Sequence, residues 1–293
     1  DLEIYKIPLG SVVLERIETK PIEKIDYVIP DIEQTSFGPK SRFQDNINAI
    51  KTLKHIESEN RLATKEEQDI LAKYVGWGGL SEAFDSTKDN WSKEYYELKL
   101  LLNEKEYNQA RSSTLSAFYT PNVVINGIYK ALKKFGFENG KVLEPSCAIG
   151  NFLGRKPETL EMKNIRGVEI DSISGRIARQ LYQNATIDIK GYEETNIYDN
   201  MYDVVIGNVP FGSEPVFDKR YKTNFLIHDY FFQKSIDKVR PGGIIAFITS
   251  SGTLDKKDKK VREYIAQRTE FIDAIRLPND TFKNNANTIT TTD

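Results

Sequence analysis

The sequence predicts a doubly wound α/β fold with a mostly parallel sheet, preceded by a mainly helical region. Two observations carry this prediction. Beyond Ser113, apolar runs of strand length alternate with helical stretches, the pattern of a parallel sheet covered on both faces. The unusual residues of that half also fall at the carboxyl ends of the expected strands, where such sheets bind ligands near the point at which strand order reverses.

Taken in order, residues 1–40 hold short, Pro-punctuated, β-rich runs (IYKIPLG, SVVLERI, YVIPDIE) without helical period. From about Arg42 apolar residues recur at Ile47, Ile50, Leu53, Leu62, Ile70 and Leu71, a helical pattern. Thr64 followed three residues on by Glu67 is a capping-box start. GWGG at 76–79 breaks the pattern, and WSKEYYELKLLLNEKEYNQARSS reads as one further helical stretch. The expected strands are Lys141–Glu144, Arg166–Ile170, Thr186–Lys190, Tyr202–Gly207, Gly243–Thr249 and Phe271–Arg276, with helices expected over 122–135, 172–183, 226–239 and 259–268. This divides the chain into a mainly helical region, 1–112, and an α/β domain, 113–293.

Of the 293 residues 39% are hydrophobic, enough for one α/β core of about 150–200 residues and a smaller companion. The net charge of −2 and pI near 6.0 exclude the strongly basic surface of a free-standing DNA binder. Any nucleic-acid contact must come from local patches or a partner. The single cysteine, Cys147, excludes an internal disulfide, and with His55 and His228 alone beside it no metal site is expected. Apolar runs are too short to span a membrane and no secretion signal opens the chain, so a cytoplasmic protein is expected. The chain opens on Asp1, which predicts a piece of a longer polypeptide.

Three strand ends carry chemistry. The first runs into LEPSCAIGNF, 143–152. Glu144 at the strand end suits a positively charged ligand group such as an ammonium. Ser146, Ala148 and Gly150 are small enough for close backbone approach, and an ordinary strand–helix turn is the alternative. The run fits neither the GxGxxG fingerprint nor the phosphate loop. The second, RGVEID, ends at Glu169, 19 residues past Gly150, close to the ~20-residue spacing of a ribose-binding acid. Ile170 beside it offers a surface for a purine. The fourth ends in Asn208-Val209-Pro210-Phe211. The lone pair of an aromatic exocyclic amine is delocalised into its ring. Acceptors on its two protons, the Asn208 side chain and the Val209 carbonyl, would favour a pyramidal nitrogen. Pro210 rigidifies the turn, and Phe211 offers a stacking face. A core phenylalanine after an Asn-Pro-like turn is the competing reading.

Together these motifs resemble the N6-adenine DNA methyltransferases whose cofactor motifs precede the catalytic one, including type I modification subunits. FYTP at 118–121, EPSCAIGNF and NVPF stand in that family's order. The chain is also similar to the methylase segment of large helicase–methylase polypeptides of conjugative elements and phages, through GWGGL, STLSAFYTP, GNVPFG and VRPGGIIAFITS. The resemblance implies a Rossmann-like class I methyltransferase with S-adenosylmethionine as cofactor, acting on a flipped adenine in double-stranded DNA, with a helicase region of the same polypeptide as partner. Residue by residue it implies that Tyr119, Thr120 and Pro121 flank the methionine moiety, Glu144 holds its ammonium, and Glu169 the ribose. Asn196 then accepts from the cofactor's adenine amine. Asn208 and Val209 hold the target amine, and Phe211 and Phe282 stack on the base. Val209 stands where the family has its first proline. A seventh, antiparallel strand would begin near Thr290–Asp293. An RNA adenine, a protein glutamine, or a catalytically idle cofactor-binding role remain alternatives.

Lesser features have plainer readings. Lys256, Lys257, Lys259 and Lys260 are expected as a solvated loop rather than a phosphate contact. His228 and Trp77 are expected to be structural, and Cys147 to be chosen for its size.

Overall fold

The computed structural model describes residues 5–6, 15–16, 23–30, 38–114, 119–212, 215–221 and 225–282. Phe118, most of 1–22, and the expected start of a seventh strand lie outside them. Two short strands, β1 (Tyr5–Lys6) and β2 (Glu15–Arg16), pair antiparallel.

The main sheet has five parallel strands: β3 (Asn139–Glu144), β4 (Glu161–Glu169), β5 (Thr186–Ile189), β6 (Tyr202–Asn208) and β7 (Val239–Ile248). Their order is β5-β4-β3-β6-β7. Pairing proceeds outward from β3 through β4 and β5, then returns to β6 on the other side of β3. The switch point therefore lies between β3 and β6, whose carboxyl ends carry Glu144 and Asn208. This is a doubly wound, Rossmann-like arrangement.

Side chains alternate across the central strands, as the two-residue period of a strand requires. Val142, Val204 and Ile206 join one core with Ile125, Tyr129 and Leu132 of α5 (Asn122–Lys134). Leu143 and Val205 join another with Tyr230 and Phe231 of α8 (Ile227–Lys238). The expected strands near 141, 166, 186, 202 and 243 are all present. Three begin earlier than expected, β3 by two residues at Asn139 and β4 and β7 by more. The polar run at 161–165 extends β4 by pairing with β3 from Glu161↔Asn139. β7 runs through Pro241-Gly242-Gly243 because its register against β6 shifts between Tyr202 and Val204, and a bulge absorbs the turn-like residues.

Phe271–Arg276 is not a strand. The run is irregular, and Phe271, Ile272 and Ile275 are exposed. Its composition favours a strand, but among the described residues no neighbour supplies the ladder that would satisfy its backbone groups.

Ahead of the sheet stand α1 (Pro39–Ser58), α2 (Lys65–Leu71), α3 (Ser92–Leu101) and α4 (Glu104–Ser113). Thr64 and Glu67 form the expected capping box on α2. The expected single helix over 91–113 is two helices, because Asn103 and Glu106 form a second capping box that starts α4.

The helical region and the sheet share one apolar core. Ile47, Ile50, Leu53, Trp77 and Tyr107 cluster with Ile173, Ile177 and Leu181 of α7 (Ser172–Leu181) and with Cys147, Ile149 and Ile187. Glutamines seal this seam. Gln68 Nε2 donates to the carbonyls of Ile25 at 3.0 Å and Gln180 at 2.9 Å. Gln183 donates to Ala63 O at 2.9 Å and accepts from Ile25 N at 2.9 Å. A strap of residues 25–30 crosses the far ends of α7 and α6 (Asn151–Gly154). Tyr27 N donates to Leu181 O at 2.8 Å and Ile29 N to Gly154 O at 2.9 Å.

Candidate active site

Glu144 closes β3 at the switch point and is 1% exposed. Its Oε2 has no hydrogen-bond partner. Burial, then the nearby Glu169 charge, pushes its carboxyl well above the usual carboxylate range. A Cβ placed on Gly207 of β6 would lie 3.4 Å from Glu144 Cγ, so the carboxylate stem runs beside the strand that ends in Asn208.

The turn after Glu144 is fixed by its own backbone. Cys147 N donates to Val168 O at 3.0 Å and Gly150 N to Cys147 O at 2.6 Å. Ala148 holds φ 48 and Gly150 φ 87, the left-handed region where glycine is preferred. Ser146 is half-buried on the same turn. A Cβ at Gly150 would lie 2.3 Å from Cε2 of Tyr182, the C-cap of α7, so packing against that ring also forbids a side chain there. The Cys147 thiol is buried and its pKa is pushed up by that burial, which agrees with a residue chosen for size.

Glu169 ends β4 and is held by two backbone donors. Its Oε2 accepts from Ala148 N and its Oε1 from Asp171 N, both at 2.7 Å. Burial, then Asp171, raises its pKa to about 7. Each oxygen keeps a second lone pair for a hydroxyl donor. The next residue, Ile170, is 65% exposed and presents an apolar surface beyond the strand end. Its carbonyl accepts from Gln109 Nε2 of α4 at 3.5 Å.

Tyr119 and Thr120 are buried, and Pro121 caps α5. The Tyr119 ring sits against Gly76 of the GWGG turn, where a Cβ would meet Cε2 at 2.7 Å. Gly76 also holds φ 68. Trp77 is buried edge-on against Phe43, Tyr74 and Phe84, a packing residue as expected. Asn196 is exposed after the short 3-10 turn Tyr192–Glu194.

On the β6 side, Asn208 is half-buried at the strand end. Val209 is buried and its N–H donates to Ile248 O of β7 at 3.1 Å. Pro210 and Phe211 are half-buried, and Phe211 packs against both flanking cores. Phe282 is 1% exposed inside the α5-side core. No face of it is open in this structure, and core packing accounts for it.

The chain beyond Phe211 is tied down by charges. Asp218 accepts from Tyr230 OH at 2.6 Å and from Lys234 Nζ at 3.1 Å. Lys234 is 3% exposed and also donates to Tyr192 O at 2.7 Å. Arg220 makes a two-pronged bond to Asp199, at 2.9 and 2.5 Å. Lys256 is ion-paired with the buried Asp229, whereas Lys257, Lys259 and Lys260 are exposed. His228 is buried, and burial first lowers its pKa. Sequence reasoning missed Tyr182, Gln109 and the Asp218–Lys234 tie. Each acts over a long chain separation without a local pattern to announce it. Among the described residues no group of His, Cys, Asp and Glu could hold a metal ion, and no helix is long and apolar enough to cross a membrane.

The stretch that includes α7, the turn at 208–211 and β7 is similar to a known protein family. Residues 153–282 match the Eco57I restriction-modification methylase. The chain is 29% identical over 267 residues to the "Defense against restriction protein B" of Escherichia phage P1, covering 89% of this chain and 10% of that protein. It is 24% identical to the modification methylase CviBIII of Paramecium bursaria Chlorella virus NC1A, covering 50% of this chain and 41% of the relative. It is also 24% identical to the rRNA N(6)-adenosine-methyltransferase metl-5 of Caenorhabditis elegans, covering 56% and 77%. The chain thus spans a tenth of the phage protein and under half of the viral methylase. The restriction-modification methylase domain is of the S-adenosylmethionine-dependent kind. The buried, unpartnered oxygen of Glu144 beside the switch point fits that cofactor's ammonium, which would supply the missing counter-charge.

Proposed function

We propose that this chain is the catalytic part of a DNA methyltransferase that methylates the 6-amino group of an adenine flipped out of the duplex. It would work within a larger mobile-element polypeptide that also carries a helicase. One observation carries the reading. The switch point brings a buried carboxylate lacking a partner, Glu144, beside the strand that ends in Asn208-Val209-Pro210-Phe211.

Bound S-adenosylmethionine supplies a methyl group activated by its sulfonium charge. Glu144 would hold its ammonium, and Glu169, oriented by Ala148 N and Asp171 N, would take the ribose hydroxyls. Tyr119, Thr120 and Pro121 would flank the methionine moiety; Ser146, Ala148 and Gly150 shape the turn; and Ile170 would pack on the adenine. Asn208 Oδ1 and the Val209 carbonyl would accept hydrogen bonds from the two N–H groups of the target amine, directing its lone pair at the methyl group. The Val209–Ile248 bond and Pro210 keep that carbonyl in place, so rate enhancement comes mainly from positioning, worth about 7–11 kcal/mol in favourable cases. Phe211 would stack on the base and offset part of the few kcal/mol that flipping costs.

RNA adenine is the second reading, favoured by the likeness to the rRNA methyltransferase. Tritium transfer from labelled cofactor to duplex DNA, RNA and cell-extract protein separates the two, with counts expected in DNA as N6-methyladenine. Counts confined to RNA or protein overturn the proposal. Asn208→Ala should lower turnover on DNA by about 100-fold or more while cofactor binding persists. Undiminished turnover would remove Asn208 from its assigned role.

A further inference from the structure

We infer that Gln109, on α4 of the helical region, is the acceptor that reads the 6-amino group of the cofactor's own adenine. The inference rests on the reading of Glu169 as the ribose-holding carboxylate. Gln109 Nε2 donates to the carbonyl of Ile170, the residue after Glu169. Because a carbonyl can only accept, this contact fixes which end of the amide faces it, and the oxygen must point elsewhere. That oxygen, Gln109 Oε1, is buried and has no hydrogen-bond partner. A shielded acceptor without a donor is destabilising, and a ligand bringing an N–H would relieve it.

The position fits an adenine. Ribose hydroxyls at Glu169 place the base farther out, against the exposed face of Ile170, and Gln109 reaches that residue from the helical region. An open, shallow depression lined by Asn103, Glu104, Lys105, Asn108 and Gln109 runs along the same helix. α4 is also held firmly enough to discriminate. Its Glu106, 4% exposed, accepts from Arg176 of α7 at 2.5 Å and from Lys54 of α1 at 2.9 Å. Burial alone would raise the Glu106 carboxyl, yet these bonds and the Asn103 N–H hold it below its usual value. The exposed Asn196 is solvated by water, so exchanging that water for the amine gains little. A shielded acceptor gains more.

The test is calorimetry on the full chain with S-adenosylhomocysteine and S-inosylhomocysteine, which carries a carbonyl oxygen where the amine was. The unaltered protein should prefer the adenosyl compound. Gln109→Ala should weaken that compound about three- to tenfold, the range of one neutral hydrogen bond, and collapse the preference. Gln109→Glu, which keeps an acceptor at that position, should retain the preference. Equal weakening of both compounds by Gln109→Ala, or none, overturns the inference while leaving the cofactor site intact. Failure of the unaltered protein to bind either compound overturns the cofactor reading with it.

Discussion

The two halves of the site are braced by different chemistry. The half around β4 and α7 is sealed to the helical region mostly by neutral groups: the amides of Gln68, Gln180 and Gln183 meet backbone carbonyls and N–H groups across an apolar core, with the Arg176–Glu106 ion pair beside them. The half around β6 and α8 is braced by charges, with Asp218, Lys234, Asp199, Arg220 and Lys238 fastening the chain beyond Phe211. The difference follows from what each half must hold still. A seam between layers needs many modest, geometry-specific bonds. A loop without regular structure has few backbone bonds of its own, and charges grip it at a few points, the buried Asp218–Lys234 pair and the more exposed Arg220–Asp199 pair. The amide bonds themselves ignore pH, whereas the titratable groups of either half do not.

The sharpest way to break the contrast is Lys234→Met. Losing the buried ammonium leaves Asp218 without its counter-charge, which costs about 3–5 kcal/mol when one partner of a buried pair is removed. Denaturant melts should show that loss, and methyl transfer should fall more than cofactor affinity. A melt within about 1 kcal/mol of the unaltered protein would show that the charges do not hold the loop.

Next in size is a pH effect of opposite sign in the two halves. Glu169 is raised to about 7 by burial and then Asp171, so the folded state binds more protons than the unfolded one between about pH 4.5 and 7. Its contribution is present at low pH and is lost as pH rises through that window, by about 3 kcal/mol at 1.36 kcal/mol per pH unit. Asp199 is lowered to about 2 by its bonds to Arg220 and then Lys238, despite burial. Asp218 is also lowered, burial notwithstanding, by Tyr230, the Arg220 N–H and Lys234. Their contributions are present above the ordinary carboxylate pKa and lost as pH falls through the folded values. Hydrogen exchange across pH 3–7 should therefore protect β4 better at the acid end and the 215–221 loop better at the neutral end. Parallel trends in both regions would erase the distinction. Cofactor binding should sharpen it, because an ammonium beside Glu144 favours the ionised carboxylate, so binding releases protons and tightens as pH rises.

The smallest effect belongs to Gln183→Ala. It strands Ala63 O and Ile25 N, costing about 1–3 kcal/mol. The loss should be independent of pH, unlike anything done to the charged half. A pH-dependent loss in urea melts would contradict the neutral seam.

The sequence made the strand ends legible because period-two burial and acids at strand termini are local signals. Glu144, Glu169 and Asn208 stand where alternation placed them. The Thr64 capping box is legible for the same reason, and the one at Asn103 is equally local but lies inside a long helical pattern that masks it. What could not be read depends on partners distant in the chain. Phe271–Arg276 has the composition of a strand, yet a ladder requires a neighbour. The value of glycine at 150 is set in part by Tyr182, 32 residues on. A lysine such as Lys234 reads as surface from sequence, and only the loop folding back upon it shows why it is buried. The helical region likewise looked separable from the sheet because its periodicity differs, whereas the apolar core runs through both.

The strap at 25–30 has a practical meaning for anyone transplanting the catalytic sheet. It sutures the tail of α6, which follows the Glu144 turn, to the tail of α7, which follows Glu169, using Gly154 and Leu181 as anchor points. The spacing of the two acidic strand ends is thus set partly by a remote stitch near the beginning of the chain. A graft begun at residue 113 would carry both carboxylates but cut the thread that keeps them in register.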